Sequence, residues 1–235
     1  MKRRIIIPAA GDAVRFGGIP KELLPISETD CALTHAVRLA QSFEAEALVV
    51  TNPRKKELHQ SVLERSGLPV EICVRQNWKH KDLWGSIELG LSANMQAGFE
   101  SGGLILPDTV AETSSISIPV YDSSLGNPAH PGGTAILFGV FTTLETERFS
   151  VVVPYVGDSK RVRIATKEKL PGDGLAWGMI LWNKNAADFM LGLEVGHYDR
   201  AFEAAARQFN WGMFKLASYH DLGSFKSYRE FLESL

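Results

Sequence analysis

The feature that most constrains this chain is Arg4-Ile5-Ile6-Ile7-Pro8 running without a break into Ala9-Ala10-Gly11. Side chains alternate across a strand, so three successive isoleucines place apolar groups on both of its faces. Such a strand reads as buried, the kind found where helices cover a parallel sheet on both sides. The small residues beyond it let a ligand approach the backbone closely. Arg15 and Lys21 follow, six positions apart. Backbone N–H groups in a tight loop form an anion-binding concavity, and Arg and Lys add fixed positive charge suited to phosphate. The loop has neither the Gly-Lys-Ser/Thr end of a P-loop nor the spacing of a dinucleotide fingerprint.

The pattern continues as strand–helix alternation. Ala32–Phe43 has helical spacing, Ala47–Thr51 reads as a strand, and Asn52-Pro53 starts a second helix. Val70–Arg75, Trp84–Ala97 and Gly103–Leu106 follow as strand, helix and strand. The second half reads as strands at Thr134–Phe141, Ser150–Pro154, Val162–Lys167 and Leu175–Trp182. Helices at Lys184–Leu191 and Arg200–Phe209, a strand at Met213–Tyr219 and a closing helix at Phe225–Leu235 complete it. The expected class is α/β: a Rossmann-like, mainly parallel mixed sheet with helices on both faces and a strand-rich insertion. At 235 residues the chain is within the reach of one domain. Residues 1–110 are expected to form a nucleotide-binding half and residues 111–235 an acceptor-binding half. Ligands of such sheets bind beyond the carboxyl ends of the strands, which directs attention to the loops after Ile7, Arg75 and Leu106.

Composition narrows the partners. A formal net charge of −2 provides no basic field for tracking nucleic acid. Cys31 and Cys73 sit in apolar runs and read as small buried hydrophobes, and no Cys/His spacing suits zinc. No apolar run approaches the ~20 residues of a membrane span. Met1-Lys2-Arg3-Arg4 mimics the start of a signal peptide, but its apolar run stops at Pro8, so a cytoplasmic protein is expected.

At the first loop the sequence resembles the nucleoside-diphosphate-sugar pyrophosphorylases, the nucleotidyltransferases that activate sugars. Pro8-Ala9-Ala10-Gly11 and Arg15 match the start of that family's Ala-Ala-Gly-x-Gly-Thr-Arg loop. Ile19-Pro20-Lys21-Glu22-Leu23-Leu24-Pro25-Ile26 looks like the version in UTP–glucose-1-phosphate uridylyltransferases and glucose-1-phosphate thymidylyltransferases. Asp12-Ala13-Val14 departs from the usual x-Gly-Thr, removing a hydroxyl donor and adding a negative charge near the triphosphate. Leu106-Pro107-Asp108 resembles the family's Leu-Gly-Asp, and Tyr219-His220-Asp221-Leu222-Gly223-Ser224 its Trp-x-Asp-Ile-Gly-Thr. The resemblance implies that Asp108 and Asp221 together bind Mg²⁺, a cation that prefers hard oxygen ligands plus substrate phosphates.

Further matches imply the remaining roles. Glu168-Lys169-Leu170-Pro171 is similar to Glu-Lys-Pro, and Ala176-Trp177-Gly178-Met179 to a following Ala-Gly-Ile-Tyr strand. Glu168 would then meet a sugar hydroxyl and Lys169 the sugar phosphate, with Gly178 beside them. Ser150 stands where the family has Gly, which alters the expected sugar pocket. Ala9, Ala10 and Gly11 would cradle the nucleotide, and Gln76, Gly85 and Ser86 would read the base, leaving UTP, dTTP and CTP open. Gly126–Gly133, with His130, carries no reading, and the other histidines carry no pattern.

The implied reaction is NTP plus a sugar 1-phosphate giving NDP-sugar and pyrophosphate, Mg²⁺-dependent, with Arg15 and Lys21 stabilising the triphosphate and leaving group. The attacking phosphate oxygen is already an anion, so positioning and electrostatics do the work. Two alternatives stay open: a cytidylyltransferase for a small alcohol phosphate, and an inactive nucleotide-sugar-binding regulatory protein. Nucleic acid and membranes are not expected as partners, and a homo-oligomer is left open.

Overall fold

The computed structural model describes residues 2–12, 16–77, 82–113, 134–155 and 158–235. Its organising strand is β1 (Arg3–Pro8), which pairs in parallel with β2 (Glu46–Thr51) on one side and β4 (Ser101–Ile105) on the other. The three isoleucines separate as the pleat requires. Ile6 packs with Ile87 and Leu91 of α3 (Trp84–Gln96) on one face. Ile5 and Ile7 pack with Leu33 and Val37 of α1 (Ala32–Ser42) on the other. All three are fully buried, each worth about 1.5–3 kcal/mol of transfer free energy.

Among the described residues ten strands form one mixed sheet. Beyond β2 lies β3 (Glu71–Val74), and α2 (Lys56–Arg65) connects them. Beyond β4 come β9 (Gly174–Asn183), β6 (Ile136–Thr143), β10 (Trp211–Asp221) and β5 (Thr109–Thr113). The β9 strand runs against both neighbours, and β5 against β10, while β6 and β10 are parallel. A hairpin of β7 (Ser150–Tyr155) and β8 (Asp158–Thr166) branches off β9. It is the strand-rich insertion expected from the sequence. Helices α4 (Lys184–Leu191) and α5 (Tyr198–Gln208) cover the same face as α3, and α6 (Phe225–Glu233) closes a smaller core with Phe231 and Leu222. Among the described residues no helix is long and apolar enough to cross a membrane.

The structure differs from the sequence reading in three places. The five-residue β5 has no counterpart there, because three of its residues are polar and it follows a turn directly. The α2 helix begins at Lys56 rather than at Asn52. Asn52 Oδ1 instead accepts N–H bonds from Arg54 (3.0 Å) and Lys55 (3.1 Å), and its Nδ2 donates to the Ala10 carbonyl (2.9 Å). Asn52 therefore ties the first loop to the end of β2. Cys31 and Cys73 are free and half-buried rather than fully buried.

A buried charge network anchors the turn that carries Lys21. Glu22 is 2% exposed; its Oε1 accepts from Lys55 Nζ and from His59 Nε2 (2.9 Å), while His59 Nδ1 lies 2.9 Å from Thr51 Oγ1. Burial alone would raise the Glu22 carboxyl, but the His59 hydrogen bond and the Lys55 charge outweigh it and hold the group below its ordinary value. A carboxyl lowered on folding stabilises the fold above its unfolded pKa, and that contribution is lost as pH falls through the folded value. Glu22→Gln is expected to cost about 3–5 kcal/mol at neutral pH, because it leaves Lys55 buried beside a neutral amide. Denaturant melts across the acid range should show a shallower loss of stability in the variant than in the wild type.

Candidate active site

The carboxyl ends of β1, β3 and β4 open into one cavity of about 680 Å³. All three loops singled out by the sequence reach it: Pro8–Asp12 after β1, Arg75 after β3, and Leu106–Asp108 after β4. The opposite wall comes from Lys167 at the end of β8 and from Gly196, His197 and Tyr198 at the start of α5.

Lys21 and Asp108, which lie 87 positions apart, meet here as an ion pair. The Leu222 amide donates to the Asp108 carbonyl (2.8 Å), which joins the end of β10 to the turn after β4. Asp221 then accepts from the Gly223 amide (2.9 Å) and from Arg148 Nη2 (3.2 Å). Burial raises the Asp221 carboxyl above its ordinary value and the nearby Asp108 charge raises it further; the Gly223 N–H, Arg148 and Lys21 offset this only in part. With the Asp108 charge close enough to raise Asp221, the two carboxylates form a hard-oxygen pair, a donor set that fits Mg²⁺. Among the described residues no group of three or more His, Cys, Asp or Glu side chains is set to hold a metal.

At the first loop, Ala9, Ala10, Gly11 and Asp12 all line the cavity, so the acidic departure at position 12 stands in the wall. Arg15 lies outside the described residues, as does the segment with His130. After β3 the side chain brought in is Arg75, one position before the expected Gln76, which is exposed and away from the wall. Arg75 Nη1 donates to the Asp82 carbonyl (2.7 Å) and to Ser86 Oγ (3.2 Å), and its Nη2 pairs with Asp82 Oδ1 (2.5 Å). Ser86 also lines the cavity. Gly85 does not, but a Cβ there would fall 2.3 Å from Arg75 Nη2, so glycine makes room for the guanidinium.

The acceptor side differs more. Glu168 and Lys169 are exposed, and Glu168 pairs with Arg163 (2.9 Å) rather than facing the cavity. The lysine in the wall is Lys167, whose φ of 53° lies in the left-handed region. Gly178 packs under the Tyr219 ring, where a Cβ would come within 2.4 Å of Cε2. Tyr219 in turn stacks on Phe141 at 3.9 Å.

Sequence reasoning missed His197 and Tyr198. Their rings lie 4.1 Å apart, and His197 Nδ1 caps α5 by accepting from the Asp199 amide (3.3 Å). Burial, with the charges of Asp199 and Asp108, pushes the Tyr198 phenol up to about 12, so at neutral pH it is a proton donor and not a base. The one local signal in the sequence was the cap position ahead of an amphipathic run.

Residues 5–110 match the family model described as the MobA-like NTP transferase domain. That segment is similar to NTP transferases. No curated protein matches it significantly. Solved structures that resemble the chain include one described as a glucose-1-phosphate thymidylyltransferase from Bacillus anthracis, at TM-score 0.79 and 17% identity over 99% of this chain and 94% of that one. A UDP-glucose pyrophosphorylase from Acinetobacter baumannii gives 0.75 and 16%, over 99% and 92%. A CTP:phosphocholine cytidylyltransferase from Streptococcus pneumoniae gives 0.74 and 14%, over 100% and 99%. At these identities the structural likeness speaks for the fold alone.

Gly178→Ala is expected to destabilise the fold by about 1–3 kcal/mol through overpacking against Tyr219. Thermal melts should register that loss, and steady-state kinetics at a temperature where the variant is folded should show no selective rise in KM for the acceptor.

Proposed function

We propose that the protein transfers a nucleotidyl group from an NTP to the phosphate of a sugar 1-phosphate, releasing pyrophosphate. The observation that carries this reading is the convergence of Lys21, Asp108 and Lys167 on one cavity at the carboxyl ends of the strands. In this reading the chain works as one transferase domain, with residues 1–110 holding the nucleotide and residues 111–235 the acceptor.

The first loop cradles the triphosphate with the backbone at Ala9, Ala10 and Gly11, aided by Arg15 and Lys21. Lys21 balances the charge that develops on the departing pyrophosphate. Base selection falls to the end of β3, where Ser86 and the Arg75–Asp82 fork hold the corner that Gln76 was expected to fill. Asp108 and Asp221 are the residues that would hold Mg²⁺, which when bound offsets the charge of the phosphate oxygens. Lys167 takes the acceptor-phosphate role assigned by resemblance to Lys169. The acceptor phosphate is ionised at neutral pH, so no side chain has to remove a proton. The reaction belongs in the cytoplasm on the substrates it needs.

One observation favours a second reading, in which the acceptor is a small alcohol phosphate and the donor CTP. Glu168, the residue expected to meet a sugar hydroxyl, pairs with Arg163 outside the cavity, and the aromatic pair His197–Tyr198 lines the acceptor end instead.

The test is pyrophosphate release with each of four NTPs, using glucose 1-phosphate and phosphocholine as acceptors in the presence of Mg²⁺. Turnover is expected with one pair, abolished by a chelator and in Asp108→Asn. Lys21→Ala is expected to lower kcat by about 10²–10³, the usual cost of one preorganised charge, without unfolding the protein. A folded wild type silent with every pair would defeat the proposed transfer.

A further inference from the structure

Asp199, at the first turn of α5, is 2% exposed, yet it touches no expected site residue. Its Oδ2 accepts from Ser150 Oγ (2.5 Å) on β7 and from Thr166 Oγ1 (2.8 Å) on β8. Its Oδ1 accepts from Trp177 Nε1 (3.1 Å) on β9. His197 Nδ1 lies 3.6 Å from Oδ2. One carboxylate thus joins a helix start to three strands. A buried carboxylate that gathers three neutral donors over such chain separations is costly to desolvate and fixes the segments that supply them.

Those segments flank the acceptor wall. Thr166 directly precedes Lys167, and His197 and Tyr198 directly precede Asp199. The Lys167 amide donates to the Phe149 carbonyl (3.0 Å), beside Ser150. Lys167 is therefore held on both sides while its backbone sits at φ 53°, a conformation that a non-glycine residue keeps only where its surroundings over-determine it. The Ser150 hydroxyl, which replaces the expected glycine, is part of that hold.

We propose that Asp199 is a positioning residue, which through Ser150 and Thr166 holds Lys167 in the same wall as the His197–Tyr198 pair so that the cavity receives the acceptor's phosphate. The proposal rests on the reading of Lys167 given above. It separates the two substrates: the Asp199 hold governs the acceptor and leaves the nucleotide loops untouched.

The experiment uses the full chain with Asp199→Asn and, because loss of a buried carboxylate can unfold a domain, the near-isosteric Thr166→Val as a milder variant. With the NTP and acceptor that the wild type turns over, Asp199→Asn is expected to raise the acceptor KM by about tenfold or more. KM for the NTP, and kcat at saturating acceptor, should stay within about threefold of wild type. Thr166→Val should move the same constant in the same direction by less. In a Lys167→Ala background Asp199→Asn should add nothing further. Equal rises in both KM values, or additive losses, would assign Asp199 a purely structural role and overturn the proposal.

A second readout does not depend on turnover. Inorganic phosphate is expected to protect Lys167 of the wild type from an amine-acylating reagent, followed by mass spectrometry, and to lose that protection in both variants. Protection in a wild type that transfers nothing would sink the transferase reading and keep the positioning role. Protection unchanged in folded variants would sink the positioning role.

Discussion

Everything at the active site depends on β1 being buried on both faces and paired on both edges. A strand whose edges are occupied by β2 and β4 delivers its loop to the same end of the sheet as theirs. The parallel pairing lines up Ile6 with Leu48 and with Leu104, so the chain leaves β1 and β4 at matching height. That is why Lys21, after the first loop, and Asp108, after the fourth strand, meet although 87 positions separate them. The meeting is a consequence of topology, and the ion pair then fixes its details.

The electrostatics of the cavity are more balanced than phosphate binding alone would suggest. Asp12, Glu22, Asp82 and Asp108 line it along with Lys21, Arg75 and Lys167. Three of those acids are matched: Glu22 by Lys55 and His59, Asp82 by Arg75, and Asp108 by Lys21. Pairing neutralises cations that would otherwise draw in a triphosphate. A polyanion therefore finds little net attraction unless it arrives with a counter-charge of its own, which is the physical argument for a divalent cation at the Asp108–Asp221 pair.

The sequence made the strand ends and the first loop legible because β1 is apolar throughout and the residues after it are small. The expected strand bounds fall within a few residues of those observed, as the ends of Arg4–Pro8 and Ala47–Thr51 show. The losses came where a motif had to be placed to a single residue. Arg75 lines the cavity while Gln76, one position on, does not, and Lys167 lines it while Lys169, two positions on, does not. At the end of a strand, neighbouring side chains diverge, so a one-residue error moves a group from the wall to solvent. Glu22, His59 and Asp199 were illegible for a different reason. Each stands among other polar residues in sequence, and the side-chain hydrogen bonds that hold it reach 33 or more, eight or more, and 22 or more positions away.

The two departures from the resembled family also come apart once their surroundings are known. Ser150 in place of glycine is absorbed: its hydroxyl bonds to Asp199, and Thr166 and Trp177 complete that carboxylate's shell. A site in decay would show the lost glycine without a partner for what replaced it. Asp12 is not absorbed in this way, since it stands in the cavity wall where phosphate is expected. A carboxylate there repels an unaccompanied triphosphate but tolerates one whose charge is already met. By the same charge balance, a polyanion that brought a counter-charge of its own would meet this wall more favourably than a bare one, and Asp12 leaves Lys21, Arg75 and Lys167 in place.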